Sequence, residues 1–221
     1  PNCVARKDGS EWVIQGQKAA WVSNGTIATV ATLFCTIDPS GGFQRGGVCL
    51  VPLDLPGVSR GKPLDKLGQR ALNQGEIFFD GVRIPEEFMI VGADAYGSVV
   101  EMVLTMANAS MGAIFIGVAQ AALDEAVRYA AERKQFGKPI NRFQAIQFKL
   151  AEMATDLEAA KHLVYYAAWL RDAGRPHHKE AAMAKLNATE AAARICDQAA
   201  RVLASYGYAM EYPVQRYLRD V

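Results

Sequence analysis

The feature that most constrains the fold is a change of hydrophobic period near Gly92. Before it, short runs rich in Val, Ile, Thr and aromatic residues lie between turn signals such as Asn24-Gly25. After it, apolar side chains recur every three or four positions. The first pattern predicts strands and the second predicts helices. We therefore expect an α+β chain, with a β domain over residues 1–95 and a helical domain over residues 96–221. The predicted strands lie within residues 12–14, 26–37, 48–51 and 76–79.

Three long helices are predicted in the second half. The first carries an apolar stripe over residues 111–130. The second is expected to begin at Asn141, whose side chain would cap it with Gln144 as the reciprocal partner, and to end before Gly174. The third is expected to run over residues 179–205 and to stop at Gly207. Amphipathic helices joined by short loops predict an antiparallel bundle of the four-helix type.

Composition narrows the classes of function. The 24 basic and 23 acidic residues leave a net charge of +1 and are mixed along the chain, so nothing calls for nucleic acid or an anionic membrane. The four cysteines are widely spaced, which favours free thiols in a reducing compartment over a disulfide framework. Three histidines are too few and too poorly spaced for zinc, and we expect no metal. The apolar run over residues 111–123 is shorter than the roughly 20 residues that span a membrane, so we expect no span.

A basic and aromatic segment lies between the first two predicted helices. It reads Arg133-Lys134-Gln135-Phe136-Gly137-Lys138 and is followed by Phe143-Gln144. Two adjacent cations with an aromatic residue and a glycine turn could hold a diphosphate and a flat ring, because arginine suits bidentate binding of phosphate. The alternative is a solvated pair of cations that complements the dipole of the preceding helix.

Five segments in order resemble the acyl-CoA dehydrogenase flavoprotein family. They are Trp21-Val22-Ser23-Asn24-Gly25, residues 68–85, residues 117–126, the segment that begins at Arg133, and residues 211–220. The resemblance implies part of the middle β domain, a partial barrel or sandwich, followed by most of the C-terminal helical bundle. It also implies FAD-dependent α,β-dehydrogenation of an acyl-CoA thioester. The chain begins without Met and ends inside a family motif, so we expect it to be part of a longer protein.

The resemblance assigns cofactor contacts to several residues. Trp21 would lie against the flavin, Ser23 would hydrogen-bond the edge of its ring, and Arg133 would pair with the FAD diphosphate. Phe136 and Gln144 would contact the adenosine half, reaching the FAD of a partner chain. Structural alternatives are a core aromatic for Trp21, the start of an Asn-Gly turn for Ser23, a core aromatic for Phe136 and the capping role for Gln144.

Two segments depart from the family pattern. A glycine-rich segment late in the family's bundle here begins at Arg201 and contains Ala204 and Ser205, with Gly207 retained. We expect Gly207 to contact the cofactor and Arg201 to compensate with its charge. Where many members carry a charged substrate-binding residue in the first helix, this chain has Asn108, which can hydrogen-bond but cannot take a proton.

The resemblance completes the predicted reaction. A carboxylate would remove the α proton while the flavin takes the β hydride, and none of the chain's own carboxylates is assigned that role. The family's usual base would lie beyond Val221. The alternatives are a noncatalytic oligomerisation module and a flavin oxidase of the same fold. We expect an acyl-CoA substrate, a homo-oligomer (dimer or dimer of dimers), an electron-transfer flavoprotein as acceptor, and a cytoplasmic or mitochondrial-matrix location.

Overall fold

The computed structural model describes residues 3–38, 40–41 and 45–221, without the side chain of residue 20. It divides into two compact units, Pro1–Met102 and Val103–Val221. The predicted order is confirmed, since a mixed sheet precedes a helical bundle. The predicted domain boundary at residues 95/96 stays a prediction.

The first unit is built on one seven-stranded sheet. Its strands are β1 (Cys3–Asp8), β2 (Glu11–Ser23), β3 (Val30–Thr36), β4 (Gly46–Pro52), β5 (Val58–Arg60), β6 (Gln74–Pro85) and β7 (Met89–Val91). They lie in the order β5-β6-β2-β1-β3-β4-β7, and every neighbouring pair is antiparallel except β1 with β3. Each of the four predicted strand regions overlaps a strand of this sheet, although residues 26–29 and 37 of the second region lie outside β3. β1, β5 and β7 were not predicted.

The core of the sheet contains large apolar side chains, with Ile14, Leu33, Ile77, Phe79 and Ile84 almost fully buried. Three of the cysteines, Cys3, Cys35 and Cys49, belong to the same core cluster. Burial raises the pKa of Cys3 to about 11. These thiols are free, as is Cys196 in the second unit, and all four are buried, as predicted.

The second unit is an antiparallel bundle. α1 (Ala93–Glu132) begins in the first unit and continues into this one, and α2 (Gln144–Asp172), α3 (His178–Leu203) and the short α4 (Val214–Asp220) follow. Gln120 of α1 accepts a hydrogen bond from Lys161 of α2 at 2.7 Å, and Arg194 of α3 pairs with Asp156 of α2 at 3.0 Å.

The face that α3 buries is made mostly of small side chains. It contains Ala181, Ala184, Ala188, Ala191, Ala192, Ala199 and Ala200. A β carbon at Gly112 of α1 would lie 2.8 Å from the Val164 side chain and 3.4 Å from the Ala184 carbonyl oxygen. The three long helices therefore approach closely at this level, because small residues allow tight packing.

The predicted start of α2 is wrong. Asn141 lies in a 3-10 turn (Ile140–Arg142), the helix begins at Gln144, and no side chain caps it. The buried Oδ1 of Asn141 has no hydrogen-bond partner among the described residues. The chain makes the 3-10 turn because the hairpin before it already fixes the backbone, as the Ile140 N–H donates to the Arg133 carbonyl at 2.8 Å.

α1 is long and apolar enough to cross a membrane by length and composition alone. One 18-residue window of this helix has a mean hydropathy of 1.7, and only 11% of that window is buried. The apolar run noted over residues 111–123 is therefore part of a longer apolar helix, and the expectation of no membrane span stays a prediction. The exposed apolar side chains include Met102, Leu104, Met106 and Ile114.

Candidate functional site

A short hairpin connects α1 to α2. Its strands β8 (Lys134–Gln135) and β9 (Lys138–Pro139) pair across a two-residue turn at Phe136 and Gly137, which have φ angles of 51° and 79°. Two successive positive φ angles are typical of the tightest hairpin turns, in which glycine is favoured and phenylalanine is unusual. The Phe136 side chain is 91% exposed, and its ring lies at 81° to the Phe143 ring with the two centroids 6.1 Å apart. The core role considered for Phe136 is therefore wrong.

An open groove lies between the end of α1, this hairpin and the turn that follows α3. We call it the Arg133 groove. It has a volume of about 240 Å³ and is lined by Tyr129, Arg133, Gln135, Ile140 and residues 202–206.

Arg133 supplies the positive charge of the groove. Its guanidinium lies 5.9 Å from the ring centroid of Tyr206, and no carboxylate among the described residues pairs with it. The Tyr206 ring in turn contacts Tyr129 and Tyr212, at 6.2 Å and 5.0 Å between centroids. Burial raises the pKa of the Tyr129 hydroxyl, so this group stays neutral at physiological pH. The groove thus combines an unpaired cation with an aromatic wall, which suits an anionic ligand that carries a flat ring.

The third side of the groove is a 3-10 turn (Ala204–Tyr208) at the end of α3. Ala204 has φ 52° and ψ −126°, a backbone conformation that glycine adopts readily and alanine rarely. Gly207 holds the turn against the helix, since a β carbon at this position would lie 2.4 Å from the Ala200 carbonyl oxygen. Gly207 is buried and has no side chain, so the cofactor contact expected of it would have to be made by a backbone atom.

The other residues predicted in the helical unit do not line the groove; Arg201, Gln144 and Gly207 lie close in sequence to residues that do, whereas Asn108 lies 21 positions before Tyr129. Arg201 pairs with Asp197 at 2.7 Å, and this carboxylate raises the arginine's pKa. Gln144 is exposed at the first position of α2 and makes no capping bond, so the alternative capping role is wrong. Asn108 is half-buried on α1. The contacts predicted for Arg201, Gln144, Gly207 and Asn108 stay predictions.

Trp21 and Ser23 lie at the end of β2 in the first unit. Trp21 is 65% exposed, so the alternative of a core aromatic is wrong. Ser23 pairs with Gln74 of β6 as the last residue of β2, and Asn24 begins the predicted turn with φ 58°. The Asn24 N–H donates to the Asn73 carbonyl at 2.7 Å, and the Thr26 hydroxyl donates to the Asn73 side chain at 2.8 Å. A hydrogen-bonded turn thus fixes the backbone next to an exposed tryptophan and a hydroxyl.

Models of two domains of one family match the chain. Residues 1–82 match the acyl-CoA dehydrogenase middle domain, and residues 97–221 match the acyl-CoA dehydrogenase C-terminal domain. The chain belongs to the acyl-CoA dehydrogenase family. The resemblance seen in the five sequence segments is thereby confirmed.

Members of the acyl-CoA dehydrogenase family with related sequences are longer than this chain. Benzylmalonyl-CoA dehydrogenase of Aromatoleum aromaticum is 55% identical over 219 residues, which are 99% of the chain and 57% of the relative. The mitochondrial short-chain specific acyl-CoA dehydrogenase of Mus musculus is 42% identical over 98% of the chain and 52% of the relative. The chain therefore spans slightly more than half the length of these curated relatives.

Solved structures of the family have the same fold. Butyryl-CoA dehydrogenase from Megasphaera elsdenii superposes with a TM-score of 0.94 at 35% identity and covers 99% of the chain and 57% of that structure. A prolyl acyl carrier protein oxidase superposes with a TM-score of 0.94 at 31% identity, over 100% of the chain and 58% of that structure. The fold class predicted for this acyl-CoA dehydrogenase family member is confirmed.

Sequence reasoning identified Arg133 but missed the rest of the groove wall. Tyr129, Ser205 and Tyr206 line it with Arg133, although Ser205 lies 72 positions after Arg133 in the sequence. The segment 201–207 did attract notice as a departure from the family pattern. Only the return of α3 along the bundle shows that this departure faces the same groove.

Among the described residues, no group of three or more His, Cys, Asp or Glu side chains could hold a metal ion. The expectation that the protein needs no metal stays a prediction.

Proposed function

We propose that the protein is an FAD-dependent acyl-CoA dehydrogenase that introduces an α,β double bond into an acyl-CoA thioester. FAD, when bound, would supply the acceptor for the β hydride and its electron pair, and a carboxylate would remove the α proton. The proposal is supported by 55% identity to a relative named as a benzylmalonyl-CoA dehydrogenase. Because that relative is much longer, the carboxylate is assigned to a part of the full-length protein outside this chain.

The observation that carries the proposal is the unpaired Arg133 at an open groove with an aromatic wall. FAD contains a diphosphate that needs a cation and an adenine ring that can lie against aromatic side chains. Arg133 can supply the cation for the diphosphate without breaking an existing ion pair. The ring of Tyr206 can lie against the adenine. The residues present therefore fit the adenosine diphosphate part of this cofactor.

Trp21 and Ser23 are the second element of the proposed cofactor site. An exposed indole can cover a flavin ring, and a hydroxyl can hydrogen-bond the ring edge as negative charge develops there. The bonds from Asn24 and Thr26 to Asn73 hold this turn in place, so the two side chains are oriented before a ligand arrives. The proposed assignment of Phe136, Gln144, Arg201 and Gly207 to the adenosine end is unchanged.

The substrate we propose is a thioester whose acyl group carries an aromatic ring and a second carboxylate. The name of the relative with 55% identity describes such a compound, since benzylmalonyl-CoA combines both features. Asn108 is half-buried, and its uncharged side-chain amide can donate a hydrogen bond to a carboxylate oxygen of the substrate. Asn108 is the one substrate-binding residue that we assign.

The remaining proposals concern partners and location. Phe136 is too exposed to be held by its own chain, which favours a homo-oligomer whose second copy completes the adenosine site. An electron-transfer flavoprotein is the proposed electron acceptor. Relatives named as mitochondrial in mammals and relatives from bacteria both fit a location in the matrix or the cytoplasm.

The test is to replace Arg133 by Ala in the full-length protein and to measure FAD affinity by flavin fluorescence. Losing one charge-assisted contact should weaken binding by about 1.5–3 kcal/mol. Arg175→Ala is the matched control, because its guanidinium also lies over an aromatic ring, 5.6 Å from the Trp169 centroid, but outside the Arg133 groove. Equal FAD affinity in the Arg133 variant and the wild type would contradict the proposal.

A flavin oxidase is the second candidate, because a prolyl acyl carrier protein oxidase has the same fold. The two activities differ in the acceptor of the flavin electrons. A dehydrogenase should reduce an electron-transfer flavoprotein with little oxygen uptake, whereas an oxidase should consume one oxygen per turnover and produce peroxide. Tight FAD binding with neither activity on any aryl or alkyl acyl-CoA would favour the noncatalytic alternative.

A further inference from the structure

The strand that carries Trp21 pairs irregularly with its neighbour just before this residue. The register of β2 with β6 shifts between Lys18 and Val22, so that residues 19–21 lie opposite the single residue Glu76. Irregularities of this kind interrupt the alternation of a strand and often re-aim side chains beside functional sites. Regular strand pairing therefore does not orient Trp21, and its orientation depends on the turn that follows.

The turn after Ser23 is held by Asn73, the residue before β6. The Asn73 carbonyl oxygen accepts a hydrogen bond from the Asn24 N–H at 2.7 Å. The Asn73 side-chain oxygen accepts one from the Thr26 hydroxyl at 2.8 Å and one from the Thr26 N–H at 3.4 Å. The bonds to the side chain are partly buried, so water competes for them less than it would at an exposed site.

The backbone around this turn is closely packed against the start of β6. A β carbon at Gly75 would lie 2.5 Å from the Thr26 methyl carbon, and one at Gly25 would lie 2.9 Å from the Gly75 carbonyl oxygen. On the other side, the Thr26 carbonyl oxygen accepts a hydrogen bond from Arg60 at 3.1 Å. A change in the Asn73 side chain would therefore loosen the turn without removing the backbone contacts around it.

We propose that Asn73 is a positioning residue that orients Trp21 and Ser23 and thereby sets the reduction potential of the bound flavin. It acts through the turn, while Trp21 and Ser23 make the contacts. Hydrogen bonds weaken steeply when they are misaligned, so the Ser23 hydroxyl can stabilise negative charge on the reduced ring only when its backbone is fixed. A looser turn would leave the reduced flavin less stable and its reduction potential more negative. This inference rests on the proposed use of FAD.

Asn73→Ala in the full-length protein tests the inference with two measurements. In the protein without cofactor, the amide of Thr26 should exchange with deuterium about 10-fold faster, because the bonds to the Asn73 side chain are lost. In the protein loaded with FAD, the reduction potential of the flavin should become more negative than that of the wild type.

Thr26 offers a pair of variants that leaves the charge near the flavin unchanged. Thr26→Val replaces the hydroxyl by a methyl group of similar size, so it should shift the potential in the same direction as Asn73→Ala. Thr26→Ser keeps the hydroxyl and should retain the potential of the wild type. Because Thr26 and Asn73 share one hydrogen bond, the double variant should show less than the sum of the two single shifts.

Gln15→Ala is the matched control, because it removes a side-chain bond between the same two strands, to Asp80 at 3.3 Å, away from the turn. It should change neither the exchange of the turn nor the potential. Circular dichroism of each variant without cofactor would show whether the fold is intact, and Thr26→Val decides the test if Asn73→Ala does not fold.

Two results would overturn the inference while the proposed function stands. One is unchanged exchange of the turn in Asn73→Ala, which would show that this side chain does not hold it. The other is faster exchange with an unchanged flavin potential, which would make Asn73 a structural residue only. If the wild type binds no FAD, the proposed function fails and the inference fails with it.

Discussion

The ends of α2 and α3 show how differently two helices of one bundle can stop. Each has an alanine at its C-terminal cap, Ala173 after α2 and Ala204 after α3. Ala173 has φ −78°, and the next residue, Gly174, takes the left-handed φ of 65°. After α3 the alanine itself has φ 52°, and the residue that follows is a serine. The first end follows the usual preference for glycine, and the second does not.

The difference lies in what surrounds each end. A β carbon at Gly174 would meet no atom within 4 Å, so the end of α2 has only to reverse the chain. The end of α3 forms a wall of the Arg133 groove, and a tight contact at Gly207 holds it. The preference for glycine in the left-handed conformation after a helix therefore holds where the chain only reverses direction. It does not hold where the chain forms the wall of a candidate site.

The largest expected effect is at the tight contact after α3. Gly207→Ala should destabilise the protein by about 3 kcal/mol, because the new methyl group would lie 2.4 Å from a backbone oxygen that cannot easily move. Urea unfolding followed by circular dichroism would measure it. A loss below about 1 kcal/mol would show that the turn is less firmly held than the comparison requires.

A smaller change in stability, in the stabilising direction, is expected at Ala204. Ala204→Gly should stabilise the cofactor-free protein by about 1–2 kcal/mol, since relief of the strained backbone exceeds the added entropy of the unfolded chain. Ala173→Gly is the matched control, because its φ is already negative, and it should not stabilise the protein. If both variants behaved alike in urea unfolding, the strain at Ala204 would not distinguish the two helix ends.

The smallest effect is expected after α2. Gly174→Ala should destabilise the protein by about 0.5–1 kcal/mol, because the left-handed conformation disfavours a β carbon although the site has room for one. A shift in melting temperature of a few degrees would report it. A loss as large as that of Gly207→Ala would mean that the end of α2 is also under steric constraint.

Sequence reasoning predicted these two regions unequally. The end of α2 at Asp172 was predicted correctly, because the helix-ending preference of Gly174 acts through local backbone conformation. The third helix was expected to continue to about residue 205, but α3 ends at Leu203 and a 3-10 turn extends to Tyr208. Local preference gave no reason to expect a left-handed alanine, since the contact that imposes it is formed only when Gly207 folds back on Ala200.

Features that depend on contacts between distant segments were also missed in the sheet and in the groove. β1 was missed because its outer half, with Arg6, Lys7 and Asp8, reads as a polar loop until β2 pairs with it. Arg133 could be identified from its neighbours in sequence. Tyr129, Ser205 and Tyr206 gave no combined signal, because only the antiparallel return of the helices brings them to one surface.

Each compact unit contains at least one buried cysteine whose reaction with a thiol reagent would measure how often that unit opens. Cys3, Cys35 and Cys49 lie in the core of the sheet, whereas Cys196 lies in the core of the bundle. Burial raises the pKa of Cys196 to about 12, so at neutral pH almost none of it is the reactive thiolate while the bundle is closed. A thiol reagent can modify it only as fast as the bundle opens. The rates at which the four cysteines are labelled would therefore measure local unfolding of the two units separately. The measurement would need no dye and no substitution in the protein.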